Sequence, residues 1–197
     1  MEKWRGKYKV SSARLQNYDY SANGAYFITI CTHQQVHFFG ECRDGQMQLS
    51  TLGAIVQGFW YEIPKHFAFV SLSEFIVMPN HVHGILILDN SVQTLPVPVQ
   101  TLQCVQTLQC NVSTPPPPKN EFFANISPKS GSISTIIRSY KSICSKHIHL
   151  AFPEHNFRWQ ARFYDHVIRN EQAYEKISNY IFNNPLTWEN DKFYPPL

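Results

Sequence analysis

Residues 78–88 read Met-Pro-Asn-His-Val-His-Gly-Ile-Leu-Ile-Leu (MPNHVHGILIL). Met78-Pro79-Asn80 is a turn-like entry, and the aliphatic run Val82–Leu88 behind it predicts a strand. On a strand, residues i and i+2 point to the same face, so His81 and His83 present two imidazoles side by side. Two neutral imidazoles plus one oxygen ligand bind a divalent ion and leave positions open for a substrate. Two ordinary polar residues at a strand edge would give the same HxH pattern, and the pair alone does not separate the two readings.

The surrounding chain supplies a sheet for this strand. Phe67–Val77 is the preceding strand, and Ala25–Thr32 (AYFITICT), after the turn-like Ser21–Gly24, is a first one. Asp44-Gly45 between Phe38–Arg43 and Gln46–Leu49 is a two-residue hairpin signal. Ser50 or Thr51 then caps a segment with apolar residues at Leu52, Ile55, Val56, Phe59, Trp60 and Ile63. That is helical spacing, and Pro64 is expected to stop it. Near Gly131 a second helical stripe begins, with Ile133, Ile136, Ile137, Tyr140 and Ile143 on one face and Arg138, Lys141 and Lys146 toward solvent. Phe157–Val167 reads as a last strand. Asn170 caps a final helix, Glu171–Asn184, closed by Pro185. This order implies an α+β fold, an antiparallel sheet with helices packed on it.

Between the two halves the composition shifts. Asn90 through Pro118 carries no charged residue, repeats VQTL at Val92–Leu95, Val99–Leu102 and Val105–Leu108, and ends in four prolines. Such short spacings do not build a solenoid. A polar, proline-bearing insertion or disordered loop over about residues 90–130, dispensable for chemistry, is the expectation. The domain then runs from 25 to 190, between a basic arm at 1–24 and a tail at 191–197.

The 197 residues are 43% hydrophobic and 14% aromatic, enough for one sizeable core. Net charge is only +3, but its distribution is uneven. Lys3, Arg5, Lys7, Lys9 and Arg14 face the single acid Glu2 in the first fourteen residues. Arg138, Lys141, Lys146, Arg158, Arg162 and Arg169 face only Glu154 and Asp165. Two basic segments around a neutral middle suit a nucleic-acid backbone, and two solvated faces would look the same. The five cysteines form no CxxC pair, which points to a reducing cytosol rather than a zinc ribbon. No apolar run approaches the ~20 residues of a membrane span, and the N-terminus lacks a signal-peptide core. A soluble, intracellular protein is expected.

On the final helix, Tyr180 and Asn184 are four residues apart and share a face. A phenol and a carboxamide one turn apart can supply a nucleophile and a neutral oxygen ligand. A tyrosine beside Ile177 and Ile181 is more often core. Tyr174 is a rival, but ten residues from Asn184 is nearly three turns, too far for one compact site.

MPNHVHGILIL resembles the HUH motif (histidine, bulky apolar, histidine) of single-tyrosine transposases. FRWQARFYDHVIRNEQAYEKISNYIFNNPLTWE is similar to the C-terminal strand-and-helix signature of REP-associated tyrosine transposases, and NYDYSANGAYFITICT resembles their opening. The resemblance covers most of Asn17–Trp188, and the VQTL-rich stretch departs from it. It implies a ferredoxin- or RRM-like HUH endonuclease sandwich. It also implies Tyr180 as nucleophile, with His81, His83 and Asn184 holding Mg²⁺ or Mn²⁺. The substrate it implies is single-stranded DNA near hairpin, REP-like palindromes, cleaved through a 5′-phosphotyrosine intermediate. Arg158, Trp159, Arg162, Arg169 and the N-terminal arm are candidate DNA contacts; Trp159 would stack on an unpaired base, and a place in the core suits it at least as well. A bacterial, cytoplasmic, nucleoid-associated protein is implied, with a monomer acting in cis favoured over a homodimer. The rival reading is a non-catalytic nucleic-acid-binding module on an RRM-like sheet, which leaves the histidines and the Tyr180–Asn184 pair without a role. A metal hydrolase of the long βα-barrel type lacks the chain length and further ligands. A plasmid relaxase or replication initiator also uses an HUH pair, but does not fit the short chain and C-terminal signature.

Overall fold

The computed structural model describes the backbone at 3–4 and 7–8, Leu15, and residues 18–91 and 129–194. The VQTL repeats, the polyproline run and most of the basic arm lie outside the described residues. Of the arm, Lys3–Trp4 (β1) and Lys7–Tyr8 (β2) pair as a short antiparallel ladder.

The central sheet has four antiparallel strands. They are β3 (Gly24–Cys31), β6 (Val70–Met78), β7 (His81–Leu88) and β8 (Tyr164–Ile168), in the order β6-β7-β3-β8. Strands β4 (Gly40–Arg43) and β5 (Gln46–Leu49) form a separate hairpin. At its tip Asp44 and Gly45 both have positive φ, the twist a two-residue hairpin needs.

Alternation along β3 divides the sheet into two faces. Tyr26, Ile28 and Ile30 point to one side with Val82, Leu86 and Val167, and there they meet α1 (Thr51–Tyr61) and α3 (Ile133–Ala151) in the main core. Helix α1 starts where the Ser50 hydroxyl accepts from Gly53 N–H at 3.1 Å. It buries Leu52, Val56 and Trp60, as its spacing predicts. Trp60 stacks on Phe75 at 4.5 Å and lies over Gly84. A Cβ at Gly84 would come within 2.4 Å of the indole, which explains the glycine directly after the second histidine. The α1–α3 contact is fixed by Tyr140, whose hydroxyl donates to the Val56 carbonyl at 2.9 Å.

The opposite face carries a smaller cluster of Phe27, Ile85 and Ile168, covered by Ile181 and Ile177 of α4 (Glu171–Asn183). Asn170 caps α4, accepting from Ala173 N–H at 2.8 Å. A 3₁₀ turn, Asn184–Asn190, continues from it with Pro185 in its first turn.

Three expectations need correction. Pro64 does not end the helical region, because a short helix α2 (Ile63–His66) begins there and takes Pro64 in its first turn, where a missing N–H costs nothing. The last strand is Tyr164–Ile168 alone. Upstream of it the chain makes one isolated bridge, Thr32 with Trp159, and is held by Lys141, whose Nζ donates to the Gln160 and Ala161 carbonyls. Lys141 therefore ties a loop down instead of facing solvent. No helix among the described residues is long and apolar enough to cross a membrane.

Candidate metal centre and nucleophile

The two histidines sit at the start of β7, on the face that α4 covers. Their cross-strand partners on β3 are Cys31 for His81 and Thr29 for His83. Their rings lie 4.4 Å apart, and both side chains are buried. Helix α4 brings Tyr180 over them. Its hydroxyl lies 3.2 Å from His83 Nε2, while its ring meets Phe27 edge-on at 6.2 Å. Tyr180 keeps 38% of its surface exposed, so a substrate can reach the hydroxyl from outside.

One turn on, Asn184 is fully buried at the start of the 3₁₀ turn. Its Nδ2 donates to Asp191 Oδ2 at 3.1 Å, and the same oxygen accepts from the Tyr180 hydroxyl at 3.0 Å. Single ligand atoms of His81, His83 and Asp191 all lie within 4.8 Å of one another. Asp191 has no counterpart among the sequence-derived site residues. It falls in the segment read as a tail, where a lone acid carries no periodicity. The only signal was an acid seven residues after Asn184, which a 3₁₀ turn folds back onto the site.

The donor set fits a divalent ion. His81 Nε2 and Asn184 Oδ1 are buried and have no hydrogen-bond partner, an arrangement that costs about 1–3 kcal/mol per atom unless something binds there. Two imidazole nitrogens with carboxylate and carboxamide oxygens suit Mg²⁺ or Mn²⁺ and neighbouring first-row ions. Burial pushes the pKa of both imidazoles below the ordinary histidine value, keeping them neutral as ligands must be. Burial, and then the Asp191 carboxylate, push the Tyr180 phenol up.

The histidine shifts predict a pH effect on the metal-free protein. Below about pH 6.5 the unfolded chain takes up protons at these two positions that the folded chain refuses. Stability should therefore be flat above that pH. It should fall below it by up to ~1.4 kcal/mol per pH unit for each histidine. Urea midpoints at pH 7.5 and 5.5 measure this, and the difference should shrink in His81→Gln/His83→Gln. An unchanged difference would show that other groups govern acid unfolding.

The rival Tyr174 stands elsewhere. Its hydroxyl contacts Ser73 Oγ and, at 3.3 Å, Glu74 Oε2, beside an irregularity in β6. Among the candidate DNA contacts, Arg158, Arg162 and Arg169 are exposed. Trp159 is half-buried and its ring packs on Phe157 at 5.2 Å and Phe39 at 5.3 Å, which gives it a place at the edge of the main core. Arg169 lines a cavity of about 330 Å³ at the open edge of β8, together with Tyr164, His166 and Asn170. Tyr164 links that cavity to the site through Phe27, which it meets at 6.3 Å.

No protein-family model matches the chain. A solved structure of a REP-associated tyrosine transposase bound to a REP hairpin aligns with 93% of this chain and 77% of its own, with a TM-score of 0.52 and 17% identity. The protein thus shares the α+β fold of that structure, an antiparallel sheet with helices packed on it, as the sequence analysis expects. An uncharacterized protein of Haemophilus influenzae is 36% identical over 187 residues, covering 93% of this chain and 92% of the relative. The chain belongs to the same family as that protein.

Proposed function

We propose that this protein is a divalent-metal-dependent endonuclease and strand transferase for single-stranded DNA, working beside hairpin repeats. The observation that carries the proposal is the meeting of Tyr180, His83 and Asp191 within hydrogen-bond reach, beside the unpartnered His81 Nε2. A nucleophile, a ligand cluster and an open approach are what phosphodiester cleavage through a covalent intermediate requires.

His81, His83, Asp191 and Asn184 would hold a divalent ion, and its chemistry there would be Lewis-acid polarisation of a phosphate oxygen. Tyr180 directs its proton toward Asp191 Oδ2 and attacks from its exposed side. The Tyr180 Oη–P bond forms as the P–O3′ bond breaks. The electron pair leaves on O3′, which takes a proton to give a free 3′-hydroxyl. The 5′-phosphotyrosine conserves the bond energy, so attack by a 3′-hydroxyl reverses the step or joins a new strand. The DNA-hairpin substrate is supported by the transposase of similar fold, which is bound to a REP hairpin. Arg158, Arg162 and Arg169 would contact the strand, the last from the cavity at the β8 edge. Tyr180 reaches His83 of its own chain, which supports action in cis by a monomer. A DNA substrate of this kind places the work in the bacterial cytoplasm, at the nucleoid.

Incubating the protein with single-stranded hairpin DNA from its own flanking repeats and Mn²⁺ should yield a covalent adduct on a denaturing gel, absent with EDTA. Tight DNA binding without strand scission under any divalent ion would instead make it a binding module.

A further inference from the structure

Asn80, the residue before the first histidine, is completely buried. A buried primary amide has two N–H donors and a carbonyl acceptor to satisfy, and here both ends are engaged. Nδ2 donates to the backbone oxygen of Phe193 at 2.8 Å and to that of Gln35 at 3.2 Å. Carbonyl oxygens only accept, so these contacts fix which end of the amide is the nitrogen. The other end, Oδ1, faces His81 Nδ1 at 2.8 Å. An amide oxygen also only accepts, so the single ring proton of neutral His81 must sit on Nδ1. Nε2 is left as a bare lone pair, and it is the buried atom without a partner.

His83 is not constrained in this way. Its Nδ1 lies 2.9 Å from the Thr29 hydroxyl and its Nε2 3.2 Å from the Tyr180 hydroxyl. Hydroxyls donate or accept, so either tautomer fits.

The same amide reaches the carboxylate side of the site. Phe193, whose carbonyl Asn80 holds, donates its N–H to Asp191 Oδ1 at 2.8 Å, and its ring lies 4.5 Å from the His81 ring. Asn80 is itself anchored, because its backbone oxygen accepts from Thr32 N–H at 2.9 Å and Thr32 Oγ1 at 3.0 Å.

We infer that Asn80 is a positioning residue for the metal centre: its amide oxygen imposes the Nδ1–H tautomer on His81, and its amide nitrogen holds the segment that presents Asp191. The metal part of this statement rests on the proposed function, whereas the tautomer is a property of the metal-free protein. An asparagine that served only the turn between β6 and β7 would leave the tautomer of His81 indifferent to its replacement.

Two variants separate the two arms. Asn80→Asp keeps an acceptor facing Nδ1 and loses both donors, and Asn80→Ala loses everything. Imidazole ¹⁵N spectra of the metal-free full-length protein should show His81 as Nδ1–H in the wild type and in Asn80→Asp, and as a tautomer mixture in Asn80→Ala. Amide exchange at Phe193 should speed up in both variants. Mn²⁺ titration should show Asn80→Ala weakened by about 10- to 100-fold, the usual cost of losing a ligand-orienting partner. A His81 that stays Nδ1–H in a folded Asn80→Ala would overturn the inference, and so would wild-type exchange at Phe193 in Asn80→Asp. If Asn80→Ala does not fold, the Asn80→Asp exchange rate and ¹⁵N spectrum decide. A wild type that shows the Nδ1–H tautomer yet takes up no Mn²⁺ would refute the metal reading and leave the assignment of the tautomer intact.

Discussion

Tyr180→Phe should form no covalent adduct with hairpin DNA, and its strand-cleavage rate should fall by at least ~10⁴-fold, since removing an enzyme's nucleophile costs on the order of 10⁶ in a well-measured case. The substitution deletes one oxygen and spares the packing. The ring stays against Phe27 at 6.2 Å and His83 at 5.2 Å, so the helix should remain seated. Lost with the oxygen are the bonds to Asp191 and His83, and Asp191 keeps its partner in Asn184. Tyr174→Phe is the matched control. Its hydroxyl is engaged with Ser73 and Glu74 on β6, so its loss should cost about 1 kcal/mol of stability and leave the adduct in place. Denaturing gels of wild type, Tyr180→Phe and Tyr174→Phe with Mn²⁺ read both outcomes together. An adduct that survives Tyr180→Phe and disappears in Tyr174→Phe would exchange the roles of the two tyrosines.

The parts of this molecule that were legible in the sequence are the apolar stripes and the apolar runs. The 3.6-residue stripes of α1 and α3 fixed which face each helix buries, the apolar runs of β3 and β7 marked strands covered on both sides, and the HxH pair inherits its geometry from a strand. Tyr180 was ambiguous by pattern, because it lies beside a helical stripe in which only Ile181 is fully buried. Its separation from Tyr174 rests on the four-residue spacing to Asn184, and the contacts of the two hydroxyls agree with that choice. Asp191 and Asn80 were not legible at all. Each acts through a side-chain bond to a residue distant in sequence, Tyr180 for one and Phe193 for the other. Trp159 was open between a base stack and the core for the reason that makes tryptophan hard to place. Its large apolar ring serves a core as well as a base stack, and three neighbouring aromatics decide the matter only once the chain is folded. The last strand was read too long because the segment before it is rich in aromatic residues. Those residues cap the core from a loop that Lys141 pins in place.

His81→Ala should abolish measurable Mn²⁺ uptake and slow strand cleavage by about 10²–10³-fold, the several kcal/mol that a bound cation contributes to a phosphoryl transition state at 1.36 kcal/mol per tenfold. The choice of His81 over His83 follows from the bonding of each. His83 Nε2 already has a partner in the Tyr180 hydroxyl, so His83→Ala disturbs nucleophile and ligand together. His81 Nε2 has none, and the bond that His81 Nδ1 makes to Asn80 does not involve the nucleophile, so its removal tests the ligand and leaves Tyr180 in place. Thermal unfolding gives a readout independent of turnover. At 100 times its dissociation constant, Mn²⁺ should stabilise the wild type by about 2.7 kcal/mol and leave His81→Ala unmoved. Asp191→Asn should fall between the two, because the carboxamide keeps one oxygen for the ion but gives up the charge. The metal-free stability of His81→Ala sharpens the test. The variant loses the ring packed on Phe193 and leaves the buried Asn80 Oδ1 without its partner, against which it removes one buried lone pair; each unsatisfied atom costs about 1–3 kcal/mol. The metal-free variant should therefore unfold below the wild-type midpoint, and the shift on adding Mn²⁺, read against each protein's own metal-free midpoint, separates loss of a ligand from loss of stability. Undiminished Mn²⁺ stabilisation in His81→Ala would remove this histidine from the ligand set and leave its orphaned nitrogen without a function.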